Sequence, residues 1–127
     1  MSTAPARVGV IGTTYREDAE IEDIIEQVVL DFGLASENIT IVHQDLSPTD
    51  DAAASYARRH GLPTETQEPK LVFGRASALI YARKMLSTCD YAIVFTEGAS
   101  RYNHHLIIEA PTIVGREKTH LVPPPED

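Results

Sequence analysis

Short apolar runs alternate with longer amphipathic segments along most of this chain. The short runs are rich in β-branched residues, which favours buried strands, and the longer segments repeat apolar side chains at helical spacing. The predicted strands lie at 7–12, 38–43, 64–67, 91–95 and 111–114. The predicted helices lie at 17–32, 51–59, 74–86 and from 101 onward.

Alternating strands and helices predict an α/β fold with a parallel sheet covered on both faces, because right-handed crossovers place helices there. We expect a three-layer Rossmann-like domain over residues 1–116, with five strands ordered 3-2-1-4-5. The first and fourth strands are then neighbours, which brings residues 12–16 opposite residues 97–105. The proline-rich acidic segment 117–127 is predicted to be an extended or disordered tail outside the core.

Composition narrows the classes of partner. The net charge of -8 leaves no basic surface for nucleic acid or for an anionic membrane. A single cysteine excludes an internal disulfide, and no long apolar segment predicts a membrane helix or a signal peptide. We therefore expect a cytoplasmic protein. Cys89 precedes a buried strand without a recognisable activating base, so a role in the core is favoured over a nucleophile.

The turn after the first strand carries candidate ligand contacts. Gly12 permits close backbone approach, Thr13 and Thr14 supply hydroxyl groups, and Arg16 can bind a phosphate or a carboxylate. The spaced glycines of a dinucleotide-binding motif are missing. Many acids follow Arg16 on the next helix, so an ion pair with one of them is favoured over a ligand contact.

The turn after the fourth strand has similar chemistry. Gly98, Ser100 and Arg101 stand where a helix begins, and the free backbone N–H groups of a helix start favour anions. Gly74 and Arg75 open the preceding helix at the same edge of the sheet, where a ligand contact and a surface role for Arg75 are equally compatible with the sequence. His43 ends the second strand and is the one scattered histidine expected to face the cleft.

The sequence offers candidate residues for acid-base catalysis but none for a metal site. Adjacent His104 and His105 point in different directions on a helix, so no metal site and no cofactor is predicted. Glu97, at the end of the fourth strand, and Glu109, on the following helix, could act as a catalytic pair on an N-glycosidic bond. The favoured interpretation is a solvated Glu97 and a Glu109 paired with a neighbouring base.

Several segments together resemble the YspA-like branch of the SLOG superfamily, Rossmann-like proteins related to the LOG phosphoribohydrolases and DprA. The resemblance runs from about residue 8 to residue 114. Its segments are Gly74-Arg75-Ala76, Met85-Leu86, residues 90–95, Gly98-Ala99-Ser100, His105-Leu106-Ile107, and the stretch from Tyr56-Ala57 to Gly61-Leu62-Pro63.

The chain also departs from that family. Where the family usually has a glycine pair and then Gly-Ala-Asp, this chain has Gln44-Asp45 and Pro48-Thr49, and only Asp50 matches. The Gly-Pro and Arg-Asn elements of the family's third helix are replaced as well. Two features of the family are thereby lost: a backbone loop that contacts phosphate, and a cationic side chain. Their loss implies that the ligand has changed.

The resemblance implies a binding protein for a nucleotide or a nucleotide-derived ligand, such as an ADP-ribose or cyclic-nucleotide signal, in a cleft at the carboxyl ends of the strands. Asp50 joins the ligand-binding candidates on this basis. Two alternatives stay open. One is an N-glycosidase or phosphoribohydrolase, although the Gly-Gly-x-Gly-Thr-x-x-Glu signature of the LOG enzymes is absent. The other is a degenerate family member that acts through protein contacts. Helix faces in this superfamily often pair, so the resemblance also allows a homo-oligomer.

Overall fold

A five-stranded sheet forms the centre of the protein. The computed structural model describes residues 4–68, 75–98 and 100–125. The strands are β1 (Ala6–Thr13), β2 (Ile39–His43), β3 (Thr64–Thr66), β4 (Tyr91–Thr96) and β5 (Thr119–Val122). The helices are α1 (Asp18–Asp31), α2 (Pro48–Arg59), α3 (Arg75–Ser87) and α4 (Arg101–Val114), and a short 3-10 helix at Arg116–Lys118 precedes β5.

The strand order is β3-β2-β1-β4-β5, and every neighbouring pair is parallel. This confirms the predicted fold class and strand order. One face of the sheet packs on α1 and α2 through a core that includes Val10, Ile25 and Tyr56. The opposite face packs on α3 and α4 through Ile11, Met85 and other side chains. Because successive strand residues point to opposite faces, neighbouring Val10 and Ile11 belong to different layers.

The two central strands approach closely where they end. Gly12 pairs with Phe95, and Thr13 pairs with Thr96. The φ angle of Gly12 is 108°, and a Cβ atom at this position would collide with the carbonyl oxygen of Phe95. A side chain here would therefore both strain the backbone and push β1 away from β4. The sequence prediction that these two strand ends are neighbours is confirmed.

The end of the chain differs from the prediction. Residues 111–114 are not a strand: α4 continues through Pro111 to Val114, and the fifth strand is β5, inside the segment expected to be a tail. Ile113 and Val114 pack with Leu106 and Ala110 against the sheet, so burial of one helical face decides the conformation. The structured domain consequently extends beyond residue 116, because Val122 of β5 is buried and pairs with Phe95.

Candidate functional site

A cleft of about 990 Å³ opens beside the carboxyl ends of β1 and β2 and the start of α4. Its walls come from four parts of the fold. They are Gly12 and Thr13 after β1, Gln44, Leu46, Ser47 and Asp50 around the β2 to α2 turn, Ala78 and Leu79 on α3, and Ser100, Arg101, Tyr102 and His105 on α4. In an open parallel sheet this switch point is where ligands usually bind.

Asn103 joins the two turns that border the cleft. Its side chain is 2% exposed, and its Oδ1 accepts a hydrogen bond from Thr13 Oγ1 at 3.2 Å. Its Nδ2 donates to the carbonyl oxygens of Glu97, at 2.5 Å, and of Gly98, at 3.4 Å. The backbone N–H of Glu97 also donates to the carbonyl of Thr13 at 3.0 Å. These bonds hold the ends of β1 and β4 in a fixed relation.

Asp50 shapes the turn between β2 and α2. Together with Ser47 it forms a capping box at the start of α2, with Pro48 in the first turn. Its Oδ1 accepts from the backbone N–H of Gln44, and its Oδ2 accepts from the N–H groups of Leu46 and Ser47 and from Ser47 Oγ. Burial raises the pKa of Asp50, while the backbone hydrogen bonds and His43 act in the opposite direction. The hydrogen bonds from Gln44, Leu46 and Ser47 thus make the Asp50 carboxylate a structural support of this turn.

Gln44 is a residue of the cleft wall. The residue is 2% exposed, and its Oε1 accepts a hydrogen bond from the Tyr102 hydroxyl at 3.2 Å. Its Nε2 is buried and has no hydrogen-bond partner among the described residues. A buried N–H group without a partner is costly, and native proteins usually satisfy it with protein, water or ligand. Nε2 is therefore an unsatisfied donor in a residue that lines the cleft.

The start of α4 supplies the positive end of the cleft. Ser100 is the N-cap, and its hydroxyl accepts from the backbone N–H of Asn103 at 3.1 Å. Arg101 follows at the first helical position and is exposed, and His105 lies one turn further along the same face and also lines the cleft. A helix N-terminus with an adjacent guanidinium group favours a bound anion.

The structure brings together some of the predicted ligand contacts. Gly12, Thr13, Asp50, Ser100 and Arg101 line the cleft. Gly98 lies in the bordering turn, and Thr14 donates its hydroxyl hydrogen to Glu97. Neither is part of the described cleft wall.

Arg16 and His43 are directed elsewhere. Arg16 donates to the carbonyl of Pro123 at 3.0 Å and lies 4.0 Å from Glu20, as the favoured ion-pair interpretation expected. His43 does not line the cleft: its Nδ1 lies 2.7 Å from the carbonyl oxygen of Gln44, and its Nε2 lies 3.5 Å from Thr66 Oγ1. Because strand residues alternate, Val42 and Gln44 face the α3 and α4 side while His43 faces away.

The two candidate catalytic carboxylates are engaged in other contacts. Glu97 accepts hydrogen bonds from Thr14 Oγ1 at 2.5 Å and from the backbone N–H of Tyr15 at 2.6 Å. Glu109 accepts two hydrogen bonds from Arg83, at 2.7 and 3.1 Å, and lies 3.9 Å from His105 Nδ1. Glu109 is thus paired with a neighbouring base, as the favoured interpretation expected, and Glu97 supports a turn rather than standing free in solvent.

Two further candidates, Gly74 and Arg75, open the third predicted helix. Gly74 and the side chain of Arg75 lie outside the described residues. Several residues of the wall are not among the candidates predicted from the sequence: Gln44, Leu46, Ser47, Ala78, Leu79, Tyr102 and His105. Two signals could have found some of them. The strand alternation indicates Gln44, and the Ser-Pro-Thr-Asp run at 47–50 is a recognisable capping pattern.

Within residues 4–68, 75–98 and 100–125, no group of three His, Cys, Asp or Glu side chains is arranged to hold a metal ion. None of the helices in those ranges has the length and hydropathy needed to span a bilayer. Comparison with known proteins found no protein-family model, no curated protein and no solved structure that matches the chain.

Proposed function

We propose that this protein binds a nucleotide or a nucleotide-derived molecule in the cleft between the turns after β1 and β2 and the start of α4. The observation that carries the proposal is the buried Nε2 of Gln44, which has no partner among the described residues and belongs to the wall of a cleft of about 990 Å³. Ligand clefts are usually roughly 300–1,000 Å³ in volume, so the space suffices for a nucleotide.

The chemistry of the walls matches the parts of a nucleotide. Leu46, Ala78 and Leu79 offer aliphatic surface for a planar base. Gln44 offers a hydrogen-bond donor, and Arg101 at the start of α4 offers a cation and helix N–H groups for a phosphate. The overall charge of -8 opposes anions at long range, which makes the local cation at Arg101 the decisive attraction. The resemblance to SLOG proteins supports the same class of ligand.

The contacts of the two candidate carboxylates favour binding over N-glycosidic hydrolysis. A catalytic carboxylate must reach the scissile bond, and neither Glu97 nor Glu109 is part of the described cleft wall. Glu109→Gln offers a direct check. We expect it to leave nucleotide affinity unchanged, whereas release of free base by the wild type and its loss in Glu109→Gln would establish the enzymatic hypothesis.

The test of binding is a thermal-shift and calorimetric titration of the full chain. The ligands are nucleoside monophosphates, cyclic nucleotides and ADP-ribose. A ligand that binds only the folded state raises Tm with its concentration. Gln44→Met and Arg101→Ala should each weaken binding by roughly tenfold, and Arg116→Ala, an exposed arginine on the 3-10 helix, should not. Absence of binding by every nucleotide, or wild-type affinity in both Gln44→Met and Arg101→Ala, would overturn the proposal and favour a role in protein contacts.

A further inference from the structure

The Gln44 amide is held in one orientation by its neighbour on α4. The Tyr102 hydroxyl donates to Gln44 Oε1 at 3.2 Å. Burial, and then the negative charge of Asp50, raise the pKa of Tyr102, so its phenol keeps the proton that it donates. Because a protonated phenol next to an amide oxygen is a good pair, the carbonyl oxygen of the Gln44 side chain already has a partner. The amide nitrogen, Nε2, carries two N–H donors and has no partner among the described residues.

Asp50, the acidic residue near Gln44, is already used as a hydrogen-bond acceptor by the protein itself. Asp50 also lines the cleft, but its carboxylate accepts four hydrogen bonds, at 2.9 to 3.2 Å, from donors in the turn after β2. Most of its acceptor capacity is therefore used inside the protein, three bonds at Oδ2 and one at Oδ1. At this point of the cleft, the polar atom without a partner among the described residues is therefore the donor Gln44 Nε2.

The surroundings of Gln44 suit a base rather than a phosphate. Leu46, Ala78 and Leu79 are aliphatic and carry no charge, while the basic side chains of the described cleft wall, Arg101 and His105, are both on α4. A nucleotide that places its phosphate at the start of α4 would extend its base toward the aliphatic wall. The group that meets Gln44 Nε2 is then on the edge of the base.

We infer that the cleft selects bases with an oxo group at the edge, the 6-oxopurines and 4-oxopyrimidines, over the corresponding amino bases. This inference rests on the proposed nucleotide-binding function. An oxo group accepts a hydrogen bond from Gln44 Nε2, whereas an amino group would place its own N–H donors against those of the amide. A buried donor facing another donor stays unsatisfied, which discriminates strongly between otherwise identical ligands.

Two matched pairs of nucleotides test the inference by calorimetry on the full chain. The first pair is inosine monophosphate and adenosine monophosphate, and the second is uridine monophosphate and cytidine monophosphate. Each pair differs chiefly at the exocyclic oxo or amino group and at the protonation of the neighbouring ring nitrogen. We expect the oxo member of at least one pair to bind roughly tenfold or more tightly than its amino counterpart.

Variants assign the discrimination to the Gln44 amide. Gln44→Glu keeps the shape and replaces the donor by an acceptor, so the ratio of affinities should shift toward the amino base even if every nucleotide binds more weakly. Gln44→Met removes the polar group without adding a charge, so it reports on the same contact if Gln44→Glu fails to fold. It should bring the ratio close to one. Tyr102→Phe should lower the ratio, because the amide is then free to turn over. Gln27→Met, on the exposed face of α1, should leave it unchanged.

The outcomes separate this inference from the proposed function. If a nucleotide binds but the two members of each pair bind equally, or the amino member binds more tightly, the inference is wrong and the binding function stands. A ratio unchanged by Gln44→Met also overturns the inference. If no nucleotide binds, the proposed function fails and the inference fails with it.

Discussion

Glu97 Oε2 accepts a hydrogen bond from Thr14 Oγ1 at 2.5 Å, so the turn after β4 is tied to the turn after β1. The same oxygen accepts from the backbone N–H of Tyr15 at 2.6 Å. The hydrogen bond from Thr14, then that from Tyr15, lowers the pKa of Glu97 below its ordinary value of 4.5. A residue that the sequence placed among the catalytic candidates therefore has a structural explanation for its position and its protonation state.

Replacing Glu97 should destabilise the fold in a pH-dependent way. We expect Glu97→Ala to lower the free energy of unfolding at neutral pH by about 1 kcal/mol, a modest loss because the side chain is partly exposed. The folded-state pKa lies below the unfolded value, so the stabilisation is present above 4.5 and is lost as pH falls through the folded-state pKa. Urea unfolding across this pH range measures the difference. Glu117→Ala, an exposed acid, is the control; an equal loss in both variants would contradict the prediction.

Replacing Asn103 should destabilise the fold more than replacing its partner Thr13. Its side chain is buried and bonds to Thr13, Glu97 and Gly98. Asn103→Ala leaves a hydroxyl and two carbonyl groups without these partners, so we expect a loss of about 2–3 kcal/mol in the free energy of unfolding. Thr13→Val removes only one of the bonds and should cost about 1 kcal/mol. Chemical denaturation measures both, and a smaller loss in Asn103→Ala than in Thr13→Val would rule out this bridging role.

The fold could be predicted because local and long-range signals agree. β-branched runs such as 39–42 and 91–95 are short and apolar, and the segments between them repeat apolar residues at helical spacing. Alternation of the two leaves few topologies. The end of the chain could not be predicted in this way. Thr119–Val122 contains two polar residues, and its strand conformation depends on pairing with β4, which no local pattern records.

The candidate site could be predicted in position but only partly in composition. Strand order fixed which turns meet, so Gly12, Thr13, Ser100 and Arg101 were found. Side-chain direction is a separate matter. Gln44 lines the cleft and its neighbour His43 does not, because successive strand residues point to opposite faces of the sheet. Arg16 and Glu97 lie in the expected turns, but their bonds to Pro123 and Thr14 depend on tertiary contacts that composition does not reveal.

Cys89 should react slowly with thiol reagents while the protein is folded. Burial raises the pKa of its thiol from 9.0 to about 11, and the thiolate is the reactive form. At about pH 8 the folded protein then contains roughly 100-fold less thiolate than the unfolded chain. Labelling with a chromogenic disulfide, with and without denaturing urea, measures the rates. The chain has one cysteine, so Cys89→Ser should abolish the signal. Equal rates in both states would show that the thiol is not protected.

The same shift predicts how stability depends on alkaline pH. The folded state holds the Cys89 proton more tightly than the unfolded state, whose thiol titrates near 9.0. Deprotonation therefore favours the unfolded chain as pH rises from 9.0 towards 11, and the contribution of Cys89 to stability falls over that window. The decline should be shallower in Cys89→Ser when urea midpoints are compared at each pH. Parallel declines in the two proteins would exclude this contribution.

Pro111 interrupts the hydrogen bonding of α4 without ending the helix, and this explains why the sequence predicted a strand there. Proline has no N–H to donate to the carbonyl of Ile107, yet α4 continues to Val114, where the N–H of Gly115 bonds to the carbonyl of Pro111. The cost of the missing bond is offset by packing of Ala110, Ile113 and Val114 against the sheet. We therefore expect that burial of the apolar face of the last turn keeps this segment helical.

Removing this proline should stabilise the protein. Pro111→Ala restores the hydrogen bond to Ile107 and relieves crowding in the helix, but it also loosens the unfolded chain, so we expect a net gain of about 1 kcal/mol in the free energy of unfolding. Pro48→Ala is the matched control because Pro48 stands in the first turn of α2, where an N–H would have no helical partner; it should give no gain. Urea midpoints at constant m-value measure both changes. A loss of stability in Pro111→Ala, or an equal gain in Pro48→Ala, would mean that the helix has adapted to its proline and that the missing bond does not limit stability.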